Sequence, residues 1–228
     1  MQPGHPLDRP VWNALTTRQA ALALGGARAV RFAPEYGIFA AAADDAPESL
    51  AALAALVPDV GGVVVVEARE PPDVPGTVVA TRAMIWQMAA ERLTPAGPVE
   101  FEIVPLTEAD APQMLALATL TEPGPFFART HQLGDFIGVK EGDRLMAMAG
   151  ERMKPTGFTE VSGVCTQPDG RGRGYAGALT RAVVARILAR GEQPFLHAYA
   201  HNTGAIGLYE ALGFSLRREM SMTVLTRA

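Results

Sequence analysis

The chain has 228 residues, 48% hydrophobic and 19% charged, with 20 Lys and Arg against 24 Asp and Glu for a net charge of −4. At roughly 150 residues per domain this is one to two domains, long enough for a sizeable core and outside the low-hydrophobicity, high-charge regime of disordered chains. No basic field is present for a nucleic-acid backbone or an anionic membrane, and the single cysteine excludes an internal disulfide, so a cytoplasmic protein without nucleic-acid or membrane partners is expected. The opening MQPGHPLDRPVW lacks a basic stretch followed by an apolar one, and no apolar run approaches the ~18 residues of a spanning helix.

Glycine and proline clusters punctuate the chain. Trp12, Leu15, Ala20 and Leu24 predict a helix over 12–24, closed by Gly25-Gly26. Residues 29–42 read as two short strands around Pro34 and Gly37, and 47–57 as a helix with Asp44 or Asp45 as N-cap. A buried-type strand is predicted at 63–66 and another strand of the same sheet at 77–89. This half carries no chemical motif, and its one histidine, His5, lies in a terminus expected to be loose. The run Thr94-Pro95-Ala96-Gly97-Pro98 predicts a seam between a smaller α/β region, 1–95, and a C-terminal domain, 96–228. The first region has strand and helix content comparable to the second, so a degenerate copy of the same fold is an expectation to test.

Beyond the seam the pattern predicts a strand at 99–104 and a helix at 107–120, opened by Thr107 and Asp110 as a weakened capping box. A Pro/Gly-rich loop, 121–133, holds Phe126, Phe127 and His131. Strands follow at 136–140, 144–152 and 158–166, the first two joined by the hairpin signal Glu141-Gly142-Asp143. Then come helix 174–190, strand 194–200, helix 202–212 and strand 214–225. The final alternation predicts a largely parallel region and the hairpins an antiparallel one, so the expected fold is mixed α/β with a mixed sheet.

Between strand 158–166 and the next helix stands Gln167-Pro168-Asp169-Gly170-Arg171-Gly172-Arg173-Gly174-Tyr175-Ala176-Gly177. Glycines let several backbone amides turn toward one point, and the following helix adds its unpaired first-turn amides and dipole, so the turn is suited to an anion. Each amide bond to a charged group contributes about 1.5–3 kcal/mol against about 0.3–1 for the dipole, so converging amides dominate and suit a diphosphate. Gly172, Gly174 and Gly177 also satisfy G-x-G-x-x-G, with Glu192 at the distance of a ribose-binding acid. A dinucleotide fold needs the first glycine at the strand end and much more chain behind it, whereas Gln167 to Arg171 intervene here. A P-loop is excluded because no lysine follows Lys154.

Arg171-Gly172-Arg173-Gly174-Tyr175-Ala176, preceded by Val164-Cys165-Thr166, resembles the [Q/R]-x-x-G-x-[G/A] signature of the GNAT superfamily of N-acetyltransferases. Downstream, Asn202, Ala205, Ile206, Leu208-Tyr209-Glu210 and Leu212-Gly213-Phe214 are similar to its N-x-x-A-x-x-[LF]-Y-x-x-x-G-F segment, in the same order and spacing. The likeness covers about 136–225 and, within the superfamily, is greatest to the glycine N-acyltransferase-like branch. It implies a mostly antiparallel twisted sheet with flanking helices and two splayed parallel strands around acetyl-CoA. It further implies that the backbone of Val164, Cys165 and Thr166 pairs with pantetheine, and that Arg171, Gly172, Arg173, Gly174, Tyr175, Ala176 and Gly177 receive the diphosphate. Asn202, Ala205 and Tyr209 share one helical face, which the resemblance turns toward the cofactor, and the Tyr209 hydroxyl would protonate the departing thiolate.

An amine nucleophile must lose a proton, and Glu160, on the strand of Val164, is the candidate base, with Glu151 behind it. Strict alternation groups Phe158, Glu160, Ser162 and Val164, but the family's bulge in this strand changes the count. Cys165 has no histidine placed to make a catalytic pair and is expected to be a small strand residue. His131, His197 and His201 are not at metal-ligand spacing, so no metal is expected. The leading function is transfer of an acetyl or other acyl group from CoA to the amine of a small molecule, amino acid or peptide, by a monomer or homodimer. Two alternatives stand beside it, a non-catalytic CoA-binding regulatory module and a nicotinamide oxidoreductase.

Overall fold

The structure is a computed structural model that describes residues 4–95 and 97–228. The N-terminal part runs α1 (Pro10–Leu15), β1 (Ala23–Gly25), β2 (Ala29–Phe32), β3 (Ala40–Ala42), α2 (Pro47–Leu56), β4 (Val63–Glu67) and β5 (Thr77–Ala89). The C-terminal part runs β6 (Val104–Pro105), α3 (Ala111–Thr121), β7 (Phe136–Glu141), β8 (Arg144–Glu151), β9 (Phe158–Thr166), α4 (Tyr175–Ala189), β10 (Gln193–Tyr199), α5 (Thr203–Ala211) and β11 (Ser215–Arg227).

Three expected elements change. The helix over 12–24 stops at Leu15, because Ala23 to Gly25 leave it to pair with β2. Thr16 also turns its hydroxyl back onto the Trp12 carbonyl (2.7 Å), the local bonding by which threonine competes with helix continuation. The strand at 99–104 shrinks to Val104–Pro105 on the edge beside β7. The N-cap of α2 is Ala46, whose own amide donates to Asp44 Oδ1 at 3.0 Å. The capping-box reading at Thr107 holds through the Asp110 carboxylate, which accepts from the Thr107 amide at 2.9 Å.

Eight strands form one sheet in the order β4-β11-β5-β10-β9-β8-β7-β6, and β1-β2-β3 form a small second sheet. The C-terminal strands are not the largely parallel region that the β/α alternation predicts. Strands β10 and β11 run alike, but β5 lies between them and pairs antiparallel with both, leaving β9–β10 as the one parallel ladder among the described strands. Strands from both sides of the seam near residue 95 therefore share one sheet. The outer edge of β4, whose valines 63–66 are all buried, is met by residues 38 and 39, with Val64 N–H donating to the Ile38 carbonyl.

Each face of the sheet has its own cover. Leu179, Val183, Val184 and Ile187 of α4 pack on Ile137, Met146 and Leu196. Opposite, Leu7, Val11 and Leu15 pack on Ile85, Phe195 and Met220, and Met114 and Leu117 of α3 on Phe136, Leu145 and Met148. Each such buried aliphatic contributes roughly 1.5–3 kcal/mol. The two covers leave β9 and β10 between them at the middle of the sheet.

Candidate active site

β9 and β10 pair in parallel only at Phe158–Gln193, Thr159–Pro194 and Glu160–Phe195, after which β10 continues against β5 and the two strands part. Where they part, β9 carries an extra residue opposite β8, between the pairs Ser162–Gly150 and Cys165–Met148. Gly163 adopts φ +63° there, and a Cβ on it would lie 2.9 Å from the Phe136 ring, so both backbone and packing require glycine. The bulge resets the alternation. Phe158 packs with the N-terminal core, Val164 with the α4 core and Cys165 with the α3 core. The β9 edge facing the parting is thus free to pair with a peptide-like chain.

β9 leads through a short turn into α4. Gly172 and Gly174 both have φ +80°, and a Cβ on either would meet no atom within 4 Å, so the front of the turn is open volume. Ala178 is the first amide to close onto this turn, donating to the Gly174 carbonyl at 3.1 Å. The amides of Tyr175, Ala176 and Gly177 precede it and, by helix geometry, have no acceptor within α4. Arg173 is held by Glu141 (2.5 Å), to which the Tyr175 hydroxyl also donates (2.8 Å), while Arg144 pairs with Asp169 (2.7 Å). At the β9 end of the turn, Thr166 Oγ1 is buried without a partner. An open cradle of amides next to an orphaned hydroxyl fits a diphosphate joined to a peptide-like arm.

The opposite face of the parting holds a polar cluster. Glu160 is fully buried and its carboxylate accepts from Arg152 Nε (2.8 Å) and Nη2 (2.7 Å), His197 Nδ1 (2.7 Å) and the Met153 amide (3.3 Å). Burial pushes its pKa up, but the Arg152 charge and the hydrogen bonds of Arg152 and His197 outweigh this and hold it at about 2. The Arg152 guanidinium lies over the Phe39 ring, 4.6 Å from its centroid. Glu151 is equally engaged, by Arg190 (2.7 Å) and Lys154 (2.8 Å). The expectation that Glu160 takes the amine's proton does not fit this geometry, and Glu151, its understudy, stands between the charges of Arg190 and Lys154. Glu160, ringed by four donors and held that low, has neither a free lone pair facing an acceptor nor the basicity to capture a proton.

Tyr209, on α5, is half-buried against the α4 core and meets Phe214 edge-on at 6.0 Å. Burial raises its phenol to about 12, and no hydrogen bond to its hydroxyl occurs among the described residues. Asn202 caps α5, its side-chain oxygen accepting from the Ala205 amide at 3.1 Å. Cys165 is buried, and desolvation pushes its thiol up to about 11 despite a bond with Thr121. Among the described residues no group of His, Cys, Asp or Glu could hold a metal ion, and no helix is long and apolar enough to cross a membrane.

The structure thus brings together the parting of β9 and β10, the glycine turn and the α4 amides. Sequence reasoning missed the roles of Arg152 and His197, which hold Glu160, and of Gln87 behind His197. The only trace they leave in the sequence is polar residues within apolar strand runs, a pattern with no motif.

An open, mostly antiparallel sheet whose central strands part beside a bulge, with a glycine turn entering a helix at the parting, is the fold of the GNAT acetyltransferases. Residues 136–223 match the family described as FR47-like protein. A crystal structure of a GNAT-family protein from Novosphingobium aromaticivorans is 47% identical, with a TM-score of 0.92 over 99% of this chain and 100% of that one. A GCN5-related N-acetyltransferase from Kribbella flavida (18% identity, TM-score 0.65, 94% and 93% covered) and a GNAT-family acetyltransferase from Colwellia psychrerythraea (11%, 0.54, 98% and 98%) share the fold. A search of curated proteins finds no match. The chain belongs to the GNAT family, whose acetyltransferases use acetyl-CoA as co-substrate.

Proposed function

We propose that this protein transfers the acetyl group of acetyl-CoA directly to the amine of a small molecule, amino acid or peptide. The observation that carries the reading is the unpaired β9 edge running straight into the amide cradle of the glycine turn. Val164, Cys165 and Thr166 would pair with the pantetheine arm through their backbone, and the turn from Arg171 to Gly177 would receive the diphosphate. Arg171 remains free to screen it, whereas Arg173 must first leave Glu141. Asn202 contributes by capping the helix that carries Ala205 and Tyr209.

Tyr209 is the acid in this reading. Its hydroxyl has no partner within the described residues and stays protonated across the working pH range, as a donor to the departing thiolate must. The finer branch reading, glycine N-acyltransferase-like, is supported by the combined motif pattern over about 136–225.

The test is release of free CoA from acetyl-CoA by the whole chain over a panel of amines and amino acids. Amine-dependent release is expected, and Tyr209→Phe should lower kcat by roughly 10²–10⁴ with acetyl-CoA affinity unchanged. Binding of acetyl-CoA without amine-dependent release over the whole panel would instead identify a CoA-binding module.

A further inference from the structure

On the far side of His197 from Glu160 stands Gln87 of β5, fully buried. Its side-chain nitrogen lies 3.1 Å from His197 Nε2 and donates to the Leu7 carbonyl at 2.9 Å, and its oxygen accepts from Arg217 Nη1 at 2.7 Å. The amide cannot be turned the other way, because a guanidinium only donates and a carbonyl only accepts. Gln87 therefore presents an N–H to His197 Nε2, which must be the bare nitrogen. The ring proton then sits on Nδ1 and points at Glu160.

We propose that Gln87 is a positioning residue that fixes His197 as its Nδ1–H tautomer, making His197–Glu160 a brace across the parting of β9 and β10 rather than a proton acceptor. The inference rests on the acyl-transfer reading for its catalytic consequence but not for its structural one. The Glu160–Phe195 pair is the last rung of the parallel ladder, and two residues further along β10 His197 reaches back to the Glu160 side chain. The bond ties the strands at the point where they separate. All charged groups around the brace are engaged as well. Arg152 serves Glu160, and Arg217 and Arg218 serve Asp8. His5, whose ring lies tilted against Phe158 at 5.2 Å, faces Asp8, Arg217 and Arg218. With both imidazole nitrogens and all Glu160 acceptors occupied, the amine's proton leaves to solvent or with a second amine molecule, and the enzyme takes up the acceptor as the free base.

Two measurements on the whole chain test this. In long-range ¹H–¹⁵N spectra, His197 should show a protonated Nδ1 and a bare Nε2, and Gln87→Leu should mix the tautomers, with His197→Asn identifying the signal. An Nε2–H or doubly protonated ring at neutral pH overturns the proposal, whatever the catalytic outcome and even if Gln87→Leu fails to fold. In pH–rate profiles with two acceptor amines of different basicity, benzylamine and trifluoroethylamine, the inflection in kcat/KM should follow the amine. One inflection common to both amines and lost in Glu160→Gln would make the brace the base and overturn the proposal. Gln87→Leu should lower kcat about tenfold with KM for acetyl-CoA within about twofold, the scale of losing the hydrogen bond that Gln87 gives His197. An acetyl-CoA KM that rises instead assigns Gln87 to binding. Absence of turnover with any amine refutes the acyl-transfer reading alone, since the spectra still decide the brace.

Discussion

On the glycine-turn side of the parting the groups on offer are backbone amides with no acceptor within their helix, while on the Glu160 side carboxylate, imidazole and amide are each bound by other parts of the chain. The first surface is open and takes its partner from outside. The second is closed and spends its polar groups on holding two strands at a set separation. Chemistry near Glu160 is therefore a matter of geometry, and recognition at the turn a matter of exposed donors.

The largest expected break in this contrast is Gly174→Trp. A Cβ at Gly174 meets nothing, so the bulky side chain fits sterically but fills the cradle, and the left-handed φ adds about 1–2 kcal/mol of local strain. Losing even two amide bonds to a diphosphate at roughly 1.5–3 kcal/mol each removes 10²-fold or more of the affinity. Calorimetric titration with acetyl-CoA should show no measurable binding, and an unchanged isotherm would show that the turn is not the anion site.

Next in size is the acid stability of the brace. The folded pKa of Glu160 is depressed to about 2 from the usual 4.5, so its contribution is full above the unfolded value and lost as pH falls through the folded one. The loss is about 3 kcal/mol between pH ~4.5 and ~2. Glu160→Gln should remove most of that slope and cost about 3–5 kcal/mol at neutral pH by leaving Arg152 buried without its counter-charge. Urea unfolding at several pH values measures both, and parallel pH curves for the two proteins would refute the ion pair's role.

The two surfaces also differ in what a sequence carries. The cofactor side is local: strand, turn and helix follow one another from Phe158 to Ala189, and their chemistry is backbone chemistry that glycine spacing records. The brace gathers Gln87, Arg152, Glu160, His197 and Arg217 from four strands and the turn after β8, and no spacing rule connects them. Glu160 is legible from its strand, but its role depends on Arg152 and His197, which the adjacency of β8, β9 and β10 brings beside it, and on Gln87, which the insertion of β5 between β10 and β11 sets against His197. The same insertion explains why β/α alternation suggested more parallel pairing than exists. Propensity located all but the shortest elements, and failed at β1 and at residues 99–103, where a pairing partner or its absence decided the outcome.

The smallest expected effect tests whether Cys165, which stands between the two surfaces, belongs to either. Its backbone is placed to meet the pantetheine arm, but its side chain turns into the α3 core beside Met114 and Phe136. Burial pushes the thiol up to about 11, so at pH 8 only about one molecule in a thousand is thiolate, and neither nucleophilic attack nor rapid alkylation is supported. Cys165→Ala should cost about 1 kcal/mol for the small volume removed and leave kcat and the KM for acetyl-CoA within about twofold, because the backbone that would pair with the cofactor is untouched. Iodoacetamide at pH 8 should modify the folded protein far more slowly than the urea-unfolded chain. A large drop in kcat for Cys165→Ala, or fast modification that acetyl-CoA blocks, would move the side chain into the site and imply that the β9 bulge turns this residue toward the parting.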